Sequence, residues 1–201
     1  YEIGMTGLLG LPSAYGAMHE SDLLLLLGTD FPYDCFLPSE CRIAQVDIRP
    51  ERIGRRARVE LGLAGDVKET LQALFPMLRE RSDRVFLDRQ LKIYGALCDD
   101  MAAVASKRGS AGNIAPEYVA TLIDTLASDS AIFTVDTGMS CVWGARYLRA
   151  TGRRRMLGSF NHGSMANALP MAIGAAFARP GQEVVALCGD GGLSMLLGDL
   201  A

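Results

Sequence analysis

The sequence GDGG at residues 189–192 has the composition of a turn that can hold a metal ion and a phosphate group. It directly follows EVVALC, residues 183–188, which has the length of a strand. Ligands of open α/β sheets lie at the carboxyl ends of strands, so the Asp190 carboxylate is well placed to bind Mg²⁺. Gly191 and Gly192 let a diphosphate approach the backbone closely. A tight strand-to-helix turn without a ligand is the alternative, since three residues alone are weak evidence.

A second candidate anion-binding segment lies earlier in the chain. Residues 158–167 read GSFNHGSMAN, and residues 168–178 are nearly all small or apolar, which predicts a fully buried helix. Gly163 and Ser164 are expected at the start of this helix, where N–H groups and a hydroxyl can bind an anion. Because both segments are expected at strand–helix junctions, we expect them to share one phosphate site.

The elements that must position these segments follow an α/β rhythm, which predicts mainly parallel sheets. The predicted strands are residues 23–27, expected to be buried, and residues 42–48, 131–135 and 183–188. Asp66 is expected to cap a helix with Glu69 as its capping-box partner, and Pro76 is expected to kink or end that helix. The expected apolar face of this helix is Leu71, Leu74, Phe75 and Leu78.

The sequence becomes more polar and more highly charged from Glu80 to Asn113. This stretch is expected to be partly helical, to end in a turn at Ser110–Asn113 and to contain the linker between two α/β units. A further helix is expected to begin at Pro116 and another around residues 143–149. The expected buried stripe of the Pro116 helix is Val119, Leu122, Ile123 and Leu126.

Composition restricts the classes of function. The net charge is −3, and the basic run Arg153–Arg155 is short, so no nucleic-acid partner is expected. The apolar run at residues 23–27 is far too short to span a bilayer. The five cysteines lack Cys-x-x-Cys spacing, which predicts free thiols in a reducing compartment and a cytoplasmic protein.

Residues 159–176 (SFNHGSMANALPMAIGAA) and residues 184–201 (VVALCGDGGLSMLLGDLA) together resemble the diphosphate-binding domain of thiamine-diphosphate enzymes. The resemblance points most specifically to the bacterial pyruvate dehydrogenase (quinone), or pyruvate oxidase, family. It implies that Asp190 coordinates Mg²⁺ and that Met165 supports the bent coenzyme. The residues implied to contact the coenzyme are Gly163, Ser164, Met165, Asp190, Gly191 and Gly192. The family's second metal ligand, an Asn, is expected beyond Ala201, so the chain is expected to be an internal fragment.

The first half resembles the central FAD-binding domain of the same family through GMTGLLG, LLLLLGTDFPYDCF, AQVDIRPERIG and AGDV, which occur in the family's order. The implied FAD-lining residues are Leu8, Leu9, Gly10, Leu11, Phe31, Pro32, Tyr33, Asp34, Cys35, Arg49 and Asp66. Asp47 ends a predicted strand, where its carboxylate can accept a hydrogen bond from ribose or adenine. Arg49 departs from the family, which usually has Asp or Asn there, and a guanidinium accepts no hydrogen bond. A domain that keeps the flavin fold only as a scaffold is the alternative.

The fold class is therefore α/β, with two doubly wound parallel-sheet domains. Residues 1–91 are expected to be part of the FAD-binding domain and residues 92–201 part of the thiamine-diphosphate-binding domain. No catalytic residue is expected in this chain, because the family's activating glutamate comes from another domain. His162 and Trp143 are interpreted as structural residues.

For the intact enzyme the resemblance implies oxidative decarboxylation of pyruvate to acetate and CO₂, with electrons passing through FAD to ubiquinone. It also implies a homodimer or homotetramer in the cytoplasm, with peripheral inner-membrane contact through segments outside this chain, and an inactive isolated fragment. Acetolactate synthase, which condenses two pyruvates, is the alternative enzyme. A non-catalytic nucleotide-binding or regulatory module is the alternative from another class of protein.

Overall fold

The structure is a computed structural model that describes residues 1–107, 109 and 112–200, apart from the side chain of Asp199. It forms two compact units, Tyr1–Asp99 and Asp100–Ala201. Each unit contains a three-stranded parallel sheet with helices. This confirms the predicted α/β class with two parallel-sheet domains.

The sheet of the first unit has the order β1-β2-β3 and is parallel throughout. Its strands are β1 (Leu23–Leu27), β2 (Arg42–Asp47) and β3 (Leu61–Ala64). The first two helices of this unit are α1 (Pro12–Glu20) and α2 (Val67–Leu74). β1 was expected to be buried, but Leu23, Leu25 and Leu27 are exposed. The expectation is wrong because β1 is an edge strand, whose alternate side chains face away from the core.

Helix α2 begins as its sequence predicts, because the Asp66 carboxylate accepts a hydrogen bond from the Glu69 N–H at 3.1 Å. It ends at Leu74, and a 3₁₀ turn at Phe75–Met77 contains Pro76. The predicted apolar face is wrong in part, since Phe75 and Leu78 are exposed. Both residues lie beyond the end of α2, so they do not continue its helical face.

The sheet of the second unit has the order β5-β4-β6, again all parallel. Its strands are β4 (Ile132–Val135), β5 (Arg155–Gly158) and β6 (Val184–Leu187), of which β5 is not among the predicted strands. After β4 the chain forms β5 on one side of β4, and it then crosses over to form β6 on the other side. Such a reversal creates a crevice at the carboxyl ends of the strands, where open α/β sheets bind ligands.

The helices of the second unit are α4 (Pro116–Leu126), α5 (Met139–Tyr147), α6 (Ala168–Ala178) and α7 (Asp190–Met195). The Pro116 start is confirmed, but the predicted buried stripe of α4 is wrong. Ala120 and Asp124 are the buried residues of α4, whereas Val119 and Leu122 are exposed and Leu126 is 81% exposed. Arginines from a neighbouring loop bind the Asp124 carboxylate, and this interaction turns the polar side of α4 inward.

Helix α6 has the predicted bounds but is not fully buried. Ala168, Leu169 and Ala175 are buried, whereas Phe177 is 83% exposed. The difference arises because α6 packs on the sheet through one side, and the described residues do not cover its other side.

The region predicted as a linker contains α3 (Val85–Ala105). The predicted domain boundary at residues 91 and 92 stays a prediction, and the division at Asp99 lies in the same helix. Ser110 and Ala111 of the predicted turn lie outside the described residues. All five cysteines are unpaired. Among the described residues, no helix combines the length and apolarity needed to cross a bilayer.

Candidate functional site

Three loops meet at the carboxyl edge of the second sheet, because parallel strands all end on the same side. The loop after β4 contains Asp136, Thr137 and Gly138, and Gly138 has a φ of +122° that favours glycine. Residues 159–167 follow β5, and residues 188–189 lead from β6 into α7. The edge therefore brings together both segments that the sequence predicts to share a phosphate site.

Hydrogen bonds fix the loop after β5. The N–H groups of Gly163 and Ser164 donate to the carbonyl and the hydroxyl of Ser159, at 2.7 and 3.0 Å. Thr137 Oγ1, from the loop after β4, donates to the Ser164 carbonyl at 2.8 Å. Gly163 and Ser164 were expected at a helix start, which is wrong because α6 begins only at Ala168. Their N–H groups stabilise the loop by donating hydrogen bonds to Ser159.

Met165 lies beside the glycine turn. Its side chain is 55% exposed, and a Cβ atom added to Gly191 would lie 3.6 Å from Met165 Cε. Met165 and the glycine turn, which the sequence predicts to bind the coenzyme, therefore lie next to each other. Their roles in binding a coenzyme stay predictions.

Asp190 is the first residue of α7 and is exposed at the edge of the sheet. Among the described residues, no three His, Cys, Asp or Glu side chains form a metal-binding cluster. A divalent ion at Asp190 therefore needs further oxygen ligands, and diphosphate oxygens are of that kind. The donor chemistry thus fits Mg²⁺ bound together with a diphosphate.

Asp136 is a further residue of this edge, and the motifs described above do not single it out. It is 2% exposed, and its Oδ1 accepts hydrogen bonds from the Ala168 N–H at 3.2 Å and from Asn167 Nδ2 at 3.3 Å. Oδ1 of Asn167 is also buried and has no hydrogen-bond partner. Its position in the sequence could have revealed it, since Asp136 directly follows the apolar strand β4 much as Asp190 follows β6.

Burial and charge also affect the thiol at this edge. Burial raises the pKa of the Cys188 thiol, and the nearby Asp136 carboxylate raises it further. The Cys188 side chain therefore stays protonated near neutral pH and is a poor nucleophile.

In the first unit, the structure brings together two of the segments predicted to line FAD. A Cβ atom on Gly7 would lie 2.9 Å from the Phe31 ring, so the opening glycine segment packs against the segment that starts at Phe31. Phe31, Tyr33 and Phe36 form edge-to-face pairs with ring centroids 5.7–6.2 Å apart. Leu11 is buried, while Leu8 is exposed.

Asp47 and Arg49 lie at the carboxyl end of β2. Asp47 Oδ1 accepts a hydrogen bond from the Arg49 N–H at 2.8 Å, while Oδ2 is buried without a hydrogen-bond partner. An unpartnered buried oxygen suits a hydroxyl donor such as that of a ribose. Arg49 is exposed, and Asp66 is the N-cap of α2. Contact of these residues with FAD stays a prediction.

The sequence matches two parts of one enzyme family. Residues 1–74 match "Thiamine pyrophosphate enzyme, central domain", and residues 136–201 match "Thiamine pyrophosphate enzyme, C-terminal TPP binding domain". The chain belongs to the thiamine pyrophosphate enzyme family. The second match contains all three loops at the carboxyl edge of the second sheet. Membership of this family therefore supports thiamine diphosphate as the ligand of the second unit.

The chain is also similar to individual proteins, over nearly its whole length or over about half of it. The putative thiamine pyrophosphate-containing protein YdaP of Bacillus subtilis is 33% identical over 198 residues, 98% of this chain and 34% of that protein. Acetolactate synthase of Mycobacterium bovis is 33% identical over 214 residues, 99% of this chain and 33% of that protein. An uncharacterized 42.6 kDa protein of Pseudomonas amyloderamosa is 56% identical over 94 residues, 47% of this chain and 24% of that protein. The chain thus spans about a third or less of the length of these relatives.

Proposed function

We propose that the full-length protein is a thiamine-diphosphate-dependent enzyme of the acetolactate synthase type, which decarboxylates pyruvate and joins the remaining two-carbon unit to a second 2-oxo acid. The observation that carries this proposal is the meeting of residues 163–167 with the turn at Asp190 on one sheet edge, inside the matched coenzyme-binding domain. The acetolactate synthase relatives, which align over nearly the whole chain, support this reaction over pyruvate oxidation.

Thiamine diphosphate, when bound, supplies an electron sink for the electron pair released as CO₂ leaves a 2-oxo acid. The residues of this chain hold the coenzyme in place. Asp190 would hold Mg²⁺, and the backbone of Gly191 and Gly192 would line the diphosphate. Met165 offers an apolar contact beside that turn, as its position next to Gly191 allows.

FAD in the first unit is part of the proposal. The unpartnered Asp47 Oδ2 and the packing of the Gly7 segment against Phe31 support a nucleotide at the carboxyl edge of this sheet. A homo-oligomer in the cytoplasm is proposed for the full-length protein, with pyruvate as substrate.

A second candidate is the oxidation of pyruvate to acetate with a quinone as electron acceptor and with peripheral membrane contact. It is favoured by one observation: the sequence SFNHGSMANA at residues 159–168 resembles the corresponding segment of the oxidase family. In this case FAD carries electrons, whereas in the first candidate it does not have to be reduced.

The products of the full-length protein distinguish the two candidates. The protein is incubated with pyruvate, Mg²⁺, thiamine diphosphate and FAD, with and without a soluble quinone analogue. Acetolactate formed without any acceptor supports the first proposal, while acetate formed in step with quinone reduction supports the second. Failure of the protein to bind thiamine diphosphate or to consume pyruvate would refute both, and the same mixture without coenzyme is the control.

A further inference from the structure

We propose that Asp136 is a positioning residue that sets the spacing between the loop after β5 and the glycine turn after β6. The inference rests on the proposed thiamine-diphosphate site, because both loops belong to it. Asp136 does not have to touch the coenzyme in this role. Its two carboxylate oxygens each face one of the loops, and the side chain is almost completely buried between them.

Oδ1 of Asp136 holds the loop after β5 at the point where α6 begins. Asn167 is the N-cap residue of α6, yet its side chain makes no capping hydrogen bond. Asp136 takes that place by accepting the N–H of Ala168, and a carboxylate is favoured at the positive end of a helix. The Asn167 amide turns back instead and donates to Asp136 and to the Ser164 carbonyl, the latter at 2.7 Å. One carboxylate thus fixes both the helix start and the loop before it.

The same loop contains a strained residue that these bonds hold in place. Ala166 has a φ of +60°, is buried, and precedes Asn167 directly. A residue other than glycine adopts this conformation only when its surroundings enforce it. The hydrogen bonds of Asn167 and Ala168 to Asp136 are the adjacent constraint.

Oδ2 of Asp136 faces the glycine turn. A Cβ atom added to Gly192 would overlap Oδ2 and would lie 2.8 Å from Cγ of Asp136. Gly192 is buried, so the side-chain position of residue 192 is occupied by the Asp136 carboxylate. This gives Gly192 a reason to be glycine that does not depend on a ligand. It also fixes how closely the turn that begins at Asp190 can approach β4.

The experiment is a double-mutant cycle in the full-length protein, with the dissociation constant of thiamine diphosphate at saturating Mg²⁺ measured by titration calorimetry. We expect Asp136→Ala and Gly192→Ala each to raise this constant by about tenfold or more, as changes behind a metal site commonly do. Adding Gly192→Ala to Asp136→Ala should have little further effect, because the overlapping carboxylate is gone. Asp136→Asn keeps the shape of the side chain, so a smaller rise is expected.

Asp124→Asn is the matched control, since Asp124 is another buried carboxylate of the same unit and lies on α4, away from both loops. It should lower the thermal midpoint without changing the dissociation constant. If Asp136→Ala does not fold, Asp136→Ser serves the same cycle, because it too vacates the space beside Gly192.

Two results would overturn the inference alone. One is a wild-type dissociation constant in both the Asp136→Ala and the Asp136→Asn protein. The other is an equal penalty for Gly192→Ala with and without the Asp136 carboxylate. A wild-type protein that binds no thiamine diphosphate would overturn the proposed function as well, so the two failures are distinguishable.

Discussion

At the residue scale, three carboxylates of the second unit have three different surroundings. Asp190 is exposed at the carboxyl edge, Asp136 is buried beneath it, and Asp124 is buried on α4 between two arginines. Only the exposed carboxylate is free to bind a metal ion. The two buried carboxylates accept hydrogen bonds from neighbouring groups, as buried polar groups generally do.

The first prediction concerns Asp190. Replacing Asp190 by Ala removes the expected Mg²⁺ ligand, so the Mg²⁺-dependent affinity for thiamine diphosphate should fall by roughly a hundredfold. The measurement is coenzyme binding to the full-length protein at several Mg²⁺ concentrations. Asp129→Ala is the control, because Asp129 is an exposed carboxylate that precedes β4, at the opposite edge of the sheet. Unchanged Mg²⁺ dependence in Asp190→Ala would remove Asp190 from the site.

The second prediction concerns pH. Burial is the largest influence on the pKa of Asp124 and acts to raise it, but hydrogen bonds from Arg149 and Arg154 outweigh burial and hold the pKa below its usual range. The unfolded chain therefore binds a proton at higher pH than the folded chain. The stabilisation is complete above the unfolded pKa of about 3.9 and is lost as pH falls through the lower folded pKa.

The thermal midpoints of wild-type and Asp124→Asn proteins, compared from about pH 6 downwards, test this sign. The wild type should be the more stable near pH 6, and the difference should shrink as the solution is acidified. Asp129→Asn, which replaces an exposed carboxylate, should have the thermal midpoint of the wild type at every pH. A difference that grows towards low pH would contradict the prediction.

At the element scale, Arg154 joins the end of α4 to the start of β5. Its side chain is 6% exposed, and it donates to the Asp124 carboxylate and to the carbonyls of Asp124, Ala127 and Ser128. Its guanidinium also lies 5.5 Å from the centre of the Phe133 ring on β4. One side chain therefore binds the Asp124 carbonyl, which the helix leaves open near its end, and the carbonyls of Ala127 and Ser128 just beyond it.

The third prediction is that Arg154→Met destabilises the second unit by about 3 kcal/mol, because Asp124 loses the buried one of its two arginines and the carbonyls near the end of α4 lose a donor. Hydrogen exchange of the β4 amides in the full-length protein measures this change. Arg153→Met makes the same substitution at an exposed neighbouring position, where the effect should stay within about 0.5 kcal/mol. Equal effects of the two substitutions would show that the buried arginine contributes nothing specific.

At the scale of the whole chain, each unit gathers its candidate ligand residues at the carboxyl ends of its own parallel strands. In the first unit most of these residues follow β1 and β2, Asp66 follows β3, and Leu8–Leu11 come just before α1. In the second unit they follow β4, β5 and β6. The two sites are thus built by the same rule of sheet topology, although their residues differ.

The fourth prediction follows from this arrangement. Mg²⁺ and thiamine diphosphate at about a hundred times the dissociation constant should stabilise their site by about 2.7 kcal/mol. In hydrogen exchange, protection should increase at residues 136–140, 159–168 and 189–195, and much less at residues 23–64. FAD added to flavin-free protein should give the reverse pattern. Protection by thiamine diphosphate confined to residues 23–64 would place the coenzyme in the wrong unit.

Local sequence chemistry was sufficient for much of this chain. The strands β1, β2, β4 and β6, the Asp66 cap, the end of α2 shortly before Pro76 and the start of α4 at Pro116 were all predictable. Each depends on neighbours within a few residues: an apolar run, a capping side chain or a proline ring. The glycine turn around Asp190 was predictable for the same reason, since it follows a strand directly.

Tertiary structure decided which sides of the elements are buried and which residues lie together. The inward turn of Asp124 depends on Arg149 and Arg154, which are distant in sequence, so the periodicity of α4 could not reveal it. Asp136 meets Ala168 and Gly192 only because three parallel strands end at one edge. Periodicity reports the tendency of one element, whereas burial and pairing depend on what the remaining chain places beside it.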